Sequence, residues 1–284
     1  MEKAFFAVQT DQLKIPDDSG YSRLYYGIEF CQHQIPTREE LRTALAFARD
    51  HSLEFTLVTP YVSETGLKKL EILFDYLREK EPATEIVVND WGVLYWLHSE
   101  YQFQNIALGR IPHKMKRDPR IHHYMDKMTP EALLNFQDCS LSVPAVRKLL
   151  IELGVKRLEF DNLLQGMKMD LGGDPPMMTN SLYHPIGYIT TTRLCKAGNL
   201  DEKELSVFKV LETCERSCRN YRTFFRNQAM KDPIIAQGNT FFYKNTQLPP
   251  NLEELGIDRL IFEPEVPMML SPGEGTASGA PPPW

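Results

Sequence analysis

Short runs of β-branched and aromatic residues alternate with stretches of helical periodicity over almost the whole chain. Candidate strands fall at residues 5–10, 24–30, 55–59, 85–89, 105–109, 157–161, 184–190 and 259–262. Several are apolar without period-two alternation, as strands covered on both faces are. Between them, Thr37 and Glu40 form a capping box that opens a helix over Arg38–Asp50, and Leu67, Leu70, Leu73, Phe74 and Leu77 make an apolar stripe at helical spacing. Ser142 and Pro144 start a further helix with Val143, Val146, Leu149, Leu150 and Leu153 on its apolar face, and Gly154 can stop it. Residues 201–213 read as another amphipathic helix, running directly into Cys214. Strand and helix repeated this often imply parallel pairing through right-handed crossovers, and eight strands favour a barrel over a doubly wound sheet.

Three segments depart from the pattern. Residues 110–127, RIPHKMKRDPRIHHYMDK, hold six Lys or Arg against two Asp and add three histidines, a locally basic loop. Residues 232–245 read as two short strands around Gly238 and Asn239, a hairpin rather than another barrel unit. Residues 271–284 are rich in Gly, Pro and Ser and bury too little apolar surface to be ordered alone. The expected fold is an α/β (β/α)8 TIM-like barrel over residues 1–270, irregular through a hairpin insertion near 232–245, followed by a disordered tail.

Composition narrows the function classes. With 284 residues, 42% of them apolar, the chain can bury one large core. A net charge of −6 gives no global attraction to nucleic acid or an anionic membrane, so any anion-binding surface must be local. No stretch approaches the roughly 20 apolar residues that span a bilayer, and the N-terminal segment lacks the apolar core of a secretory signal, so a cytoplasmic location is expected. Five cysteines in a reducing compartment argue against a disulfide framework and leave metal ligands, reactive thiols or small buried apolar residues.

Cys31 falls just after the second candidate strand and Cys195 just after the seventh, at the rim where barrels of this kind gather their chemistry. Cys214 and Cys218 follow the 201–213 helix as C-x3-C, one helical turn apart. Four converging thiolates suit either an iron–sulfur cluster or zinc. Structural zinc sites favour paired knuckles; one pair plus two ligands on distant loops is a dispersal that a wider cluster tolerates better. The plain alternative is that Cys31 and Cys195 are buried strand-end residues. Cys139, in NFQDCSLSVP, is expected to be a free thiol elsewhere.

Other residues carry weaker signals. Asp90 is placed to cap a helix opening at Trp91. Glu29 and Arg193 neighbour cysteines in sequence, where they can tune a metal or bind an acidic ligand. Glu159, Asp161 and Glu263 are carboxylates near strand ends, candidates for proton transfer with ion pairing as the structural alternative. His113, His122 and His123 lack the i, i+4 spacing of a helical metal site and read as part of a solvated loop. No Gly-rich phosphate loop, G-x-S-x-G elbow or HExxH is present.

The segments LYYGIEFC, EIVVNDWGVLYWL, ITTTRLCKAGN and CERSC, in that order, resemble peptidase family U thirty-two, the collagenase-like peptidases, and within it the small UbiV-type branch. The resemblance covers roughly residues 5–265. It implies a 4Fe-4S cluster on Cys31, Cys195, Cys214 and Cys218, and matches the family's N-D-x-G pattern to Asn89, Asp90 and Gly92. Arg193-Leu194-Cys195 departs from the family's A-R-C form, and the stretch between Cys195 and Cys214 is longer. The implied activity is oxygen-independent hydroxylation of an aromatic substrate such as a ubiquinone precursor, with prephenate as oxygen donor and a paralogous UbiU-like subunit completing a heterodimer. Arg193, Glu159 and Asp161 are then the candidate catalytic residues, and peptidase activity gains no support. Two other classes stay open: a non-catalytic electron-transfer or redox-sensing subunit, and an RNA-modifying hydroxylase whose only local footprint is the 110–127 loop, which can equally bind a dicarboxylate.

Overall fold

The computed structural model describes residues 1–15, 20–173, 178–199, 208–226, 228–230 and 232–264, so the expected tail lies outside the described residues. Strands β1 (Glu2–Ala7), β2 (Arg23–Gly27), β3 (Glu54–Thr59), β4 (Glu85–Val88), β5 (Ile106–Leu108), β6 (Val155–Asp161) and β7 (Thr179–His184) pair in parallel, each with the next. Four more, β8 (Ile186–Thr191), β9 (Arg222–Phe225), β10 (Ile234–Gln237) and β11 (Thr240–Lys244), form a separate antiparallel sheet in the order β8–β11–β10–β9. β12 (Ile257–Phe262) then returns to pair with β7 and β1, and the eight-stranded barrel closes. The fold is thus the expected closed α/β barrel. No helix among the described residues is long and apolar enough to cross a membrane.

The alternation of strand and helix is regular for only half the circuit. Helices α1 (Arg38–Asp50), α2 (Glu64–Lys80) and α3 (Trp91–Trp96) cover the first crossovers, and α4 (Ile121–Tyr124), α5 (Pro130–Gln137) and α6 (Pro144–Glu152) lie between β5 and β6. Among the described residues, the β1–β2 and β6–β7 connections contain no α-helix. In α1 the Thr37 hydroxyl accepts from the Glu40 N–H at 3.2 Å and the Glu40 carboxylate accepts from the Thr37 N–H at 2.6 Å, the reciprocal cap that the sequence signals. Leu70, Leu73, Phe74 and Leu77 of α2 are buried, as their spacing requires.

Two expectations need correction. The seventh barrel strand is Thr179–His184, not 184–190, which turns away as β8 into the second sheet. Its polar opening, Thr179-Asn180-Ser181, of which Asn180 and Ser181 are buried, hid it from a search for apolar runs. The expected apolar face of helix α6 is met in part: Leu150 is buried and Val146 and Leu153 pack against the core, but Val143 is 51% exposed and Leu149 47%, while Arg147 is buried. The Arg147 guanidinium draws that side inward by donating to the carbonyls of Leu141 (2.8 Å), Gly172 (2.7 Å) and Asp170 (3.3 Å). Gly154, at φ +84°, does end the helix, and the 232–245 hairpin is present as β10 and β11 around Gly238 and Asn239.

The barrel lumen is charged. Along β6, Arg157, Glu159 and Asp161 share one face by period two, and their partners lie across the barrel, which is possible only through its interior. At the end where the strands begin, Arg259 reaches Glu2 and Glu85, each at 2.6 Å, and Arg23 reaches Glu2 at 2.6 Å. Midway, Glu159 accepts from the hydroxyls of Tyr25 and Tyr183, each at 2.8 Å. Such a lumen replaces the layers of branched aliphatic side chains usual in this architecture.

Candidate metal centre

At the end where the strands finish, the barrel axis is closed. All five N–H donors of Arg110 are used: on Glu29 (Nε, 3.0 Å, and Nη2), Asp161 (2.9 Å), Glu263 (3.3 Å) and the Ile186 carbonyl (3.1 Å). Its guanidinium lies 3.6 Å over the Tyr183 ring. Arg117 adds a 2.6 Å bond to Asp161, and β8 seals the mouth, with the Tyr188 N–H donating to Asp161 at 3.1 Å and its hydroxyl to the Arg110 carbonyl at 3.1 Å. Glu29, Asp161 and Arg110 are wholly buried. Burial raises the pKa of Glu29, and that of Glu263 well above the usual carboxylate range.

This corrects the reading of the 110–127 loop as solvated. Arg110 and Arg117 are committed to the buried ion network and Arg120 pairs with Asp118 at 2.6 Å. His113 is buried against Phe160, hydrogen-bonded to the Glu159 carbonyl at 2.7 Å, and burial pushes its pKa down to about 3, so it is neutral. His122 and His123 are exposed, as expected.

The open chemistry lies off the axis. One pocket is lined by Cys31, Cys195, Cys214 and Cys218 together with Phe30, Gln34, Tyr61, Arg193, Arg216 and Asn239. Cys139 is buried elsewhere, bridged to Met115. The delivery of the four thiols differs from expectation. Cys31 follows β2 and caps the turn Gln32–Gln34, but Cys195 follows β8, so the inserted sheet and not a barrel strand presents it. Cys214 and Cys218 do not share a helical turn. Residues 208–213 are not helical, the rest of the expected helix lies outside the described residues, and Arg216 at φ +60° bends the chain before the turn Ser217–Arg219.

Two of the four sulfurs accept a hydrogen bond from an N–H group. Near Cys31 the backbone N–H groups of His33 and Gln34, and near Cys195 those of Ala197 and Gly198, partly offset the burial that raises both thiols. The Arg216 N–H donates to Cys214 Sγ at 3.3 Å, and the Gln34 side-chain amide donates to Cys218 Sγ at 3.4 Å. Burial, reinforced by the neighbouring sulfurs, pushes the Cys31 thiol up to about 11 and the Cys218 thiol to about 12. Four thiolates side by side repel, and a cation is what would hold all four deprotonated. Among the described residues, no group of three or more His, Cys, Asp or Glu side chains is placed to hold a single metal ion.

Residues that sequence reasoning passed over hold this pocket together. The Asn239 amide, at the β10–β11 turn, donates to the carbonyls of Phe30 and Thr192, each at 2.7 Å, and to the Tyr61 hydroxyl at 3.0 Å, tying the Cys31 and Cys195 loops to one point. Arg193 lines the pocket and donates to the Val62 carbonyl at 2.8 Å. Glu159 and Asp161 lie in the lumen, outside the pocket lining, and Glu29 turns its side chain to Arg110 rather than toward the sulfurs. Asp90 caps α3, accepting from the N–H groups of Gly92 (2.7 Å) and Val93 (3.2 Å). Asn89 donates to the Thr59 carbonyl at 3.0 Å, and a side chain at Gly109 would collide with it at 2.3 Å.

Comparison of the chain with models of protein families, with curated proteins and with solved structures finds no match in any of the three. The likeness to peptidase family U thirty-two therefore rests on the short segments quoted above.

Proposed function

We propose that this protein is a redox protein that binds a 4Fe-4S cluster on Cys31, Cys195, Cys214 and Cys218 and supports oxygen-independent hydroxylation of an aromatic, quinone-precursor-like substrate beside a paralogous subunit. The observation that carries the cluster is the pocket lined by four thiols from three separate loops, with N–H groups donating to the sulfurs of Cys214 and Cys218. Such donors stabilise sulfur-centred negative charge and tune the potential of a thiolate-bound group. When bound, the cluster would supply one-electron chemistry. The protein's own residues would orient it: Gln34 and the Arg216 N–H act on the sulfurs, Asn239 fixes two ligand loops, and Phe30 with Tyr188 walls it off from the lumen. The hydroxylation rests on the family resemblance alone.

Four thiolates leave no open protein position at the metal, and Glu159 and Asp161 are enclosed in the lumen. This favours a supporting, electron-transfer role over a complete active site, and a redox-sensing subunit is the second reading. Anaerobic purification or reconstitution with iron and sulfide, followed by a visible spectrum and metal analysis, tests the first claim. Brown absorbance with iron and sulfide near equal supports it; zinc alone, or no metal, refutes it. The purified chain is expected to be inactive on aromatic substrates plus prephenate until a second subunit or electron donor is supplied.

A further inference from the structure

We propose that the mouth of the four-thiol pocket is a docking surface for a small acidic electron-transfer protein, an inference that rests on a redox group at those thiols. Exposed apolar side chains concentrate here: Val210 lines the pocket, Leu194 adjoins Cys195, and Phe225 lies 5.4 Å from the Lys196 ammonium. Tyr221, just before β9, and Phe224 on that strand are also exposed. The described residues of 193–226 carry seven Lys or Arg against two Asp or Glu, in a chain whose net charge is −6. Arg193, Lys196, Lys209 and Arg216 form no ion pair with any described residue. Cations without an ion pair among the described residues, set around an apolar centre, match a partner whose own apolar centre is ringed by carboxylates.

Why the partner should carry electrons follows from the shape of the barrel. Its axis is sealed by Arg110, Tyr188 and the buried carboxylates, so a group at the sulfurs reaches solvent through this face. Cys31, Cys195 and Cys214 are half-buried, which puts that group close to the surface. The basic and aromatic residues also resemble a single-stranded RNA platform. Leu194 and Val210, however, offer no stacking plane, and the exposed Glu212 and Glu215 interrupt the positive rim where a continuous phosphate chain would run.

The probe is a plant-type [2Fe–2S] ferredoxin, a small acidic protein. Its oxidised form should bind the chain, loaded or metal-free, in calorimetry at low salt, and about tenfold more weakly when salt rises from about 20 to about 300 mM. The double substitution Lys196→Glu/Lys209→Glu should weaken binding about tenfold at low salt. In stopped flow, reduction of the loaded protein by reduced ferredoxin should slow by the same factor, while reduction by the neutral photoreductant deazariboflavin should not change. Ferredoxin binding by a chain that takes up no iron would keep the docking surface and refute the cluster. Absence of binding, or binding indifferent to salt and to both lysines, overturns the proposal. So does tighter binding of a uridine oligonucleotide that the same substitutions abolish.

Discussion

At the scale of single residues, the donors to sulfur are where sequence and chemistry meet. Gln34 is nearly wholly buried, donates to Cys218 Sγ and accepts from Arg219 Nε at 3.2 Å, so its amide cannot rotate freely away from the sulfur. Gln34→Leu removes the N–H without opening a large void. In a redox titration of the loaded protein the midpoint potential should fall by an amount on the order of tens of millivolts, because negative charge at the sulfur loses a stabilising dipole. An unchanged potential would show that the amide serves packing alone. For the ligands, Cys214→Ala or Cys218→Ala should abolish the brown absorbance while Cys139→Ala, buried outside the pocket, leaves it intact. Equal loss from all three would mean misfolding rather than ligand loss.

Between elements, the decisive contact is the turn joining β10 to β11. Gly238, at φ +60°, makes the turn, and Asn239 beside it is buried with its amide spread over three acceptors. Asn239→Ala leaves the carbonyls of Phe30 and Thr192 without that donor, at a cost of about 1–3 kcal/mol. For a chain of this size that is a fall in Tm of about 2–10 °C. Scanning calorimetry should show it, and iron should leave the loaded variant faster under a chelator because the Cys31 and Cys195 loops lose their shared tie. A variant that melts lower yet keeps iron as long as the parent would separate the fold from the site.

For the molecule as a whole, the charged lumen sets the pH dependence. Burial first, and then the charge of Glu29, raise Glu159 from 4.5 to about 8. Below about pH 4.5 the folded and unfolded chains both hold this proton. Between there and pH 8 the unfolded chain releases it and the folded chain keeps it, so stability falls as pH rises and then levels off. Glu159→Gln removes that dependence. Urea midpoints should shift in favour of the variant from about pH 4.5 to about pH 8, and a constant difference across that range would refute the assignment. Arg110→Met, by contrast, strands Glu29, Asp161 and Glu263 and should destabilise by about 3–5 kcal/mol in denaturant titrations.

Local chemistry was legible in the chain itself wherever neighbours along it decide the outcome. The Thr37–Glu40 cap, the α2 stripe, the 232–245 hairpin and seven of the eight barrel strands each follow from side-chain period and capping residues within a few positions. The set of four cysteines was also legible, since composition and resemblance single them out. What brings them into one pocket was not, because the carriers are long-range: an antiparallel sheet inserted between β7 and β12, a left-handed Arg216, and Asn239 reaching loops far away in sequence. The alternation Arg157, Glu159, Asp161 was visible in the chain, yet only barrel closure decides that this face points into the lumen. There Arg110, from a loop that reads as basic and solvated, becomes the buried counter-ion of three carboxylates. A side chain's charge is written in its sequence, but whether water or another chain segment neutralises it is settled by distances that only the closed barrel fixes.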